Sequence, residues 1–189
     1  PPVCEQKTLI KALSSDQPAM LKLTEELLIN KGRMRACYRH PQDKSRCVKV
    51  YRPLSDLPRK SLAKTVRILL GMRCDRFNIN VQEYRFWRSL VDNNEISSIL
   101  HGYIPVMDGM VQTNFGVGLV EELFVDADGE PSSNLLQLEG KLTSNQLLQI
   151  QKDLRVITDC VIEHAIPMYD WNPPNVVIVQ GRDRLEVKI

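Results

Sequence analysis

The sequence predicts an α+β fold, an antiparallel sheet followed by a mostly helical half, and three features carry that expectation. First, apolar and polar residues alternate through short runs between Leu21 and Tyr51, the period of strands with one buried face. Second, between Thr143 and Val161 the apolar positions recur at steps of three and four, the period of an amphipathic helix. Third, a stiff loop, Tyr169-Asp170-Trp171-Asn172-Pro173-Pro174-Asn175, opens into the run Val176-Val177-Ile178-Val179. Its two prolines lack a backbone N–H and fix φ, so the stretch is a loop, and the β-branched run after it reads as a buried strand.

Composition narrows the function classes. The 189 residues suffice for one sizeable core or two small lobes, and 43% hydrophobic with 25% charged residues excludes disordered, collagen-like and coiled-coil classes. A formal net charge of +2 is too small to suggest nucleic acid as a partner. No apolar run reaches the roughly 18 residues that span a bilayer, and the N-terminus carries no signal-peptide pattern. A cytoplasmic protein with neither membrane nor nucleic acid as partner is therefore expected. Cys4, Cys37, Cys47, Cys74 and Cys160 are scattered without a C-x-x-C pair, which suits reduced thiols. His40, His101 and His164 lie far apart and predict no zinc site. The chain opens on Pro1 and closes at Ile189 within a strand-like run, so it is expected to be part of a longer protein.

Taken in order, residues 1–20 have no clear period and read as an N-terminal extension. Strands are expected around 27–29, around 34–38 and at Arg46–Tyr51, joined through Asn30-Lys31-Gly32-Arg33 and a polar segment at 40–45. On the third strand Cys47 and Lys49 share one face, and Val48 and Val50 the other. A lysine beside a small residue, beneath the turn at Gly32, suits a site that stacks a base and holds its phosphates. Taken singly, strand lysines are usually solvated and such a glycine is usually only a turn.

A helix is expected at 58–71, opened by Pro58 and closed by Gly71, with Arg59, Lys60, Lys64 and Arg67 on a basic, solvated face. A second, at about 80–91, places Val81, Tyr84, Trp87 and Leu90 on one stripe, with Glu83 in its first turns. Glu83 serves there either as a carboxylate near a helix N-terminus or as an ion-pair partner for Lys49. Strands follow near 100–106 and 110–112, and then at 116–124. Gly116 and Gly118 lack the third glycine of a phosphate-binding motif, so they mark a turn or a close backbone approach. The turn Asp126-Ala127-Asp128-Gly129-Glu130-Pro131 divides an N-lobe at 21–124 from a partial C-lobe at 125–189. A short helix near 133–138 precedes a long one near 144–164, begun by a capping box of Thr143 and Gln146. Leu147, Ile150, Leu154, Ile157 and Val161 form its expected buried stripe.

The loop after that helix holds an acid, Asp170, and an amide, Asn175, five positions apart. Phosphoryl transfer from ATP uses such a pair, since a carboxylate orients the attacking hydroxyl while an amide oxygen helps hold Mg²⁺. The spacing D-x-x-x-x-N is that of the protein-kinase catalytic loop. A polar loop is ordinary punctuation by itself, and the order of parts is what adds weight. Gly32, Lys49, Glu83, an extended segment at 121–124, a long helix, Asp170 and Asn175 follow one another as that mechanism requires. In this the chain resembles the bilobal protein-kinase-like fold, with an N-terminal antiparallel sheet plus helix and a truncated helical C-terminal lobe.

More narrowly, it resembles the PhoP regulatory network protein family of the YrbL type over about residues 21–180. The resemblance rests on Gly32-Arg33-Met34-Arg35-Ala36-Cys37-Tyr38-Arg39-His40-Pro41, Arg46-Cys47-Val48-Lys49-Val50, Gln112-Thr113-Asn114-Phe115-Gly116-Val117-Gly118, Asp128-Gly129-Glu130-Pro131-Ser132 and Asn172-Pro173-Pro174-Asn175-Val176-Val177. It implies a small bacterial cytoplasmic protein whose family name reflects regulation by a two-component system, and it leaves two functions open: a phosphotransferase using ATP and Mg²⁺ on a hydroxyl of a protein or small-molecule acceptor, or a pseudokinase-like binding module without turnover. Carried over by position, Lys49 looks like the phosphate-binding lysine and Glu83 its helix partner; Gly32 and Cys47, from the strand reading above, are expected to line the nucleotide. Asp170 is the catalytic acid, Asn175 the metal-binding amide, and Glu121 to Leu123 the adenine-facing linker. The pattern departs from protein kinases at Met168-Tyr169, where His-Arg is usual, and at Asn172, where lysine is usual. A second metal-binding Asp is expected beyond the strand at 185–189.

Overall fold

The computed structural model describes residues 20–53, 66, 69–70, 74–168, 171–181 and 184–189. Residues 1–19 of the N-terminal extension, nearly all of the helix expected at 58–71, and Asp170 lie outside the described residues. The chain divides into two compact units. One takes in residues up to Trp87 together with Met107–Glu121, and the other Arg88–Val106 with Glu122–Ile189.

The first unit is built on a five-stranded sheet in the order β1-β2-β3-β5-β4, with β1 Leu28–Lys31, β2 Arg35–Arg39, β3 Arg46–Tyr51, β4 Met107–Thr113 and β5 Gly116–Glu122. The β1–β2, β2–β3 and β4–β5 pairs are antiparallel. Strand period two sorts the side chains onto two faces. Ala36, Tyr38, Val48, Val50 and Val120 pack with Leu21 and Leu23 into an apolar core, against which Phe115 also lies. Arg35 and Cys37 of β2, across from Tyr51 and Lys49 of β3, face the other way.

The two glycines of β5 do separate jobs. Gly116 sits at φ +99° in the β4–β5 turn, which Thr113 closes by donating to the Gly116 carbonyl at 2.6 Å. Gly118 lies against β3, where an added Cβ would stand 2.7 Å from Val48 Cγ1 and 3.0 Å from Val50 Cγ1.

Helix α1, Ile79–Val91, starts where the Asn78 side-chain oxygen accepts from the N–H groups of Asn80 and Val81. It is fastened to β3 by Ile79 N–H donating to the Tyr51 hydroxyl at 2.7 Å and by the fully buried Asn80 amide donating to the Lys49 carbonyl at 2.9 Å. These bonds fix the turn that carries Glu83.

In the second unit, a three-stranded sheet of β6 Ser133–Asn134, β7 Val177–Gln180 and β8 Leu185–Lys188 packs against helix α3, Ser144–Glu163. The capping box forms as expected, with the Thr143 hydroxyl accepting from Gln146 N–H and the Gln146 side chain accepting from Thr143 N–H. Ile157, Ile178 and Val187 are buried at its core. The Asp126–Pro131 turn is tight, with Gly129 at φ +84°, and the Asp126 carboxylate accepts from Ser132 Oγ and Gln180 N–H.

Three expectations are corrected. Residues 100–106 are not a strand: Asn93 caps a helix α2, Asn94–Leu100, whose Ile96 and Leu100 are buried one turn apart. Gly102 at φ +88° and Pro105 then interrupt the run. The short helix at 133–138 is absent because that backbone is taken by β7, with Ser133 opposite Ile178 and Leu135 N–H donating to the Val176 carbonyl. Residues paired in a sheet hold extended φ and ψ, which a helical turn does not allow. Lastly, Leu147 is half exposed, and the buried stripe of α3 runs through Ile150, Ile157 and Cys160. Among the described residues no helix is long and apolar enough to cross a membrane.

Replacing Gly118 with Ala is expected to cost about 1–3 kcal/mol in urea unfolding, because the methyl group has no room against Val48. Adding Val48→Ala should return part of that loss. An unchanged midpoint for Gly118→Ala would show that β3 and β5 do not approach as described.

Candidate functional site

The face of the first sheet opposite its apolar core gathers four charged side chains. Lys49 of β3 donates through Nζ to Glu83 Oε1 of α1 at 3.1 Å and to Glu121 Oε1 of β5 at 2.7 Å. Glu83 uses its second oxygen, Oε2, to accept from Arg35 Nη1 of β2. The same Arg35 nitrogen reaches Asn80 Oδ1 at 2.9 Å. Two cations and two carboxylates thus alternate along a short path from β2 through α1 and β3 to β5.

Burial sets how these groups share protons. Burial works against the charge on Lys49, but Glu121 and then Glu83 outweigh it and hold the ammonium above the ordinary lysine range. Glu83 is pushed up by burial, yet Lys49 and Arg35 together bring its carboxyl below the usual carboxylate range. Its stabilising effect is therefore present above that range and lost as pH falls through the lowered value. Glu121 goes the other way: burial, its largest influence, lifts it above the usual range despite the pull of Lys49, and Glu83 adds to the rise. Its Oε1 also accepts from the Cys47 thiol at 3.7 Å, whereas Oε2 is buried with no hydrogen-bond partner. The Cys47 thiol is held far above its ordinary range by its hydrogen bond with Cys37 and by burial.

The structure brings Lys49, Glu83, Glu121 and Cys47 together. Gly32 stands exposed between β1 and β2, its N–H donating to the Arg35 carbonyl at 2.8 Å and its carbonyl accepting from Arg52 at 3.0 Å. Glu121 departs from a simple linker role, since its side chain is turned inward onto Lys49. Leu123 and Asn175 belong to the other unit. Leu123 is half-buried just past β5, and Asn175 ends the short 3₁₀ turn Pro173–Asn175, exposed, ahead of β7. Asp170 lies outside the described residues.

Sequence reasoning missed Arg35 and Asn80. A signal existed for Arg35: it stands two residues before Cys37 on β2, and Cys37 is paired with Lys49, so strand parity places it on the lysine face. Asn80 could be read only as a helix-start residue, because its bond to β3 depends on how α1 is laid down.

The family described as PhoP regulatory network protein YrbL matches residues 21–187. The chain is 24% identical over 161 residues to the uncharacterized protein YrbL of Escherichia coli (strain K12), and equally to that of Shigella flexneri. Each alignment covers 84% of this chain and 65% of the relative, so the chain spans just under two thirds of the relatives' length. Among solved structures, one titled PpkA-294 apo form is similar with a TM-score of 0.57 at 15% identity, covering 88% of this chain and 57% of that one. That likeness concerns the fold alone, which is protein-kinase-like.

Lys49→Met leaves Glu121 buried without a cation and should cost about 3 kcal/mol in urea unfolding. The double variant Lys49→Met with Glu121→Leu should regain at least half of that. Equal losses in the two variants would mean that Glu121 does not depend on Lys49.

Proposed function

Because the chain belongs to the PhoP regulatory network protein YrbL family, and its fold is protein-kinase-like, we propose that it binds ATP with Mg²⁺ and transfers phosphate to a hydroxyl of a protein or small-molecule acceptor. The observation that carries this reading is the 3.1 Å pair of Lys49 on β3 with Glu83 on the helix packed against that strand. An ammonium held in a partly desolvated place by a fixed carboxylate is a preset binding point for a phosphate.

The residues fit the group. Lys49 has three N–H donors and spends two on carboxylates, leaving one for a phosphate oxygen. Arg35 lends a second positive charge from the same face, and the exposed turn at Gly32 carries no side chain to crowd a ligand. Mg²⁺ bound with the nucleotide would neutralise phosphate charge, and Asn175 would supply an amide oxygen to it. Asp170 would orient the incoming hydroxyl and accept its proton, so its effect falls in the transition state rather than in ground-state binding. ATP as co-substrate and reduced thiols fit a cytoplasmic setting.

Asn172 favours a second reading, a binding module of the pseudokinase kind. An amide at that position brings no positive charge to the transferring group, and loss of such help costs about 3 kcal/mol, or roughly a hundredfold in rate. Turnover, where present, is accordingly slow.

Calorimetry with MgATP on the wild-type chain and on Lys49→Ala, beside a labelled-phosphate transfer assay with Asp170→Asn, tests both readings. Binding by wild type, much weaker binding by Lys49→Ala, and loss of transfer with retained binding in Asp170→Asn are expected. No binding by wild type would end the ATP reading, and tight binding without transfer would favour the binding module.

A further inference from the structure

The site described above carries one more carboxylate than a phosphate-binding lysine and its helix partner need. Glu121 is 5% exposed. Its Oε1 is held by Lys49 at 2.7 Å and by the Cys47 thiol at 3.7 Å. Its Oε2 is buried without a hydrogen-bond partner. The groups facing it are Lys49 and Cys47 from β3, Arg35 from β2 and Glu83 from α1, with Cys37 of β2 hydrogen-bonded to Cys47 behind them. On β4 the uncharged Met107 lies opposite. Of these, only Lys49 gives Glu121 a direct cationic contact, whereas Glu83 has both Lys49 and Arg35.

A phosphate arriving at Lys49 has two ways to bind. It takes over the share of the ammonium that Glu121 holds, or it accepts the remaining N–H and sets its own negative charge beside the carboxylate. Either way the ionised form of Glu121 loses ground to the protonated form, because a buried carboxylate next to a like charge is costly. Glu83 is shielded from the same fate by Arg35.

We infer that Glu121 is a proton-uptake site, so that the nucleotide binds together with one proton taken from solvent by the Glu121 carboxylate (R–COO⁻ + H⁺ → R–COOH), and acid strengthens binding while alkali weakens it. The inference rests on the ATP reading and specifies how that site is regulated. It also predicts an inverted mutational effect: removing the acid's charge improves binding, whereas a residue needed only for structure would weaken it.

The experiment is titration calorimetry of MgATP into the wild-type chain and into Glu121→Gln, from about pH 6 to about pH 8.5, in buffers of different ionisation enthalpy. The Gln variant sees the same titration of the ligand itself, so the difference between the two proteins isolates Glu121. Wild-type affinity should fall with rising pH more steeply than that of the variant, by at most about tenfold per unit for one proton. At about pH 8 the variant should bind several-fold tighter than wild type. Wild type alone should show a binding enthalpy whose buffer dependence reports proton uptake, a readout that does not need the variant to fold well. Binding by both proteins with equal pH slopes, or weaker binding by Glu121→Gln on a wild-type slope, would overturn the proton-uptake site and leave the ATP reading standing. Absence of binding by both proteins at every pH would overturn the two together.

Discussion

The first unit depends on one ammonium group. Lys49 is drawn out of bulk water by its position on β3, and a partly buried lysine without a counter-charge would lose its proton or leave the fold. Glu83 and Glu121 meet that demand from an α-helix and from β5, elements far apart in sequence. Satisfying a single charge therefore requires three elements to be in register at once. Arg35 then completes the set by binding the oxygen of Glu83 that Lys49 does not use.

The rest of the sheet makes that arrangement affordable. Its opposite face is apolar, with Val48 and Val50 flanking Lys49 along the strand and packing beneath Tyr38 and Val120. Gly118 lets β5 come close enough to β3 for Glu121 to reach the lysine, since any side chain there would meet Val48. Asn80 ties the start of α1 to the backbone of Lys49 itself. The charged face and the apolar face are thus two consequences of the same strand period.

Much of this was legible in the sequence, and the boundary of what was legible has physical causes. Strand parity gave the two faces of β3, and Thr143 with Gln146 announced the start of α3, because both signals are local. Gly116 and Gly118 were readable as a turn and a close approach for the same reason. The run at 100–106 misled because apolar residues leaving a short capped helix resemble a strand, and the segment at 133–138 because an edge strand of two residues leaves almost no pattern. Arg35 and the inward turn of Glu121 depend on contacts across 48 and 72 positions of sequence, as the pairs Arg35–Glu83 and Lys49–Glu121 show. Periodicity says which face a residue occupies but not which partner it finds there.

A double-mutant cycle on Lys49 and Glu83, read by urea unfolding at neutral pH, addresses the central claim most directly. If these charges form one cooperative cluster, the loss in Lys49→Met combined with Glu83→Gln will fall short of the sum of the single losses by about 1–3 kcal/mol. Single losses that add to within about 0.3 kcal/mol would show that the two side chains do not sense each other, and the account of a lysine-centred site would fail.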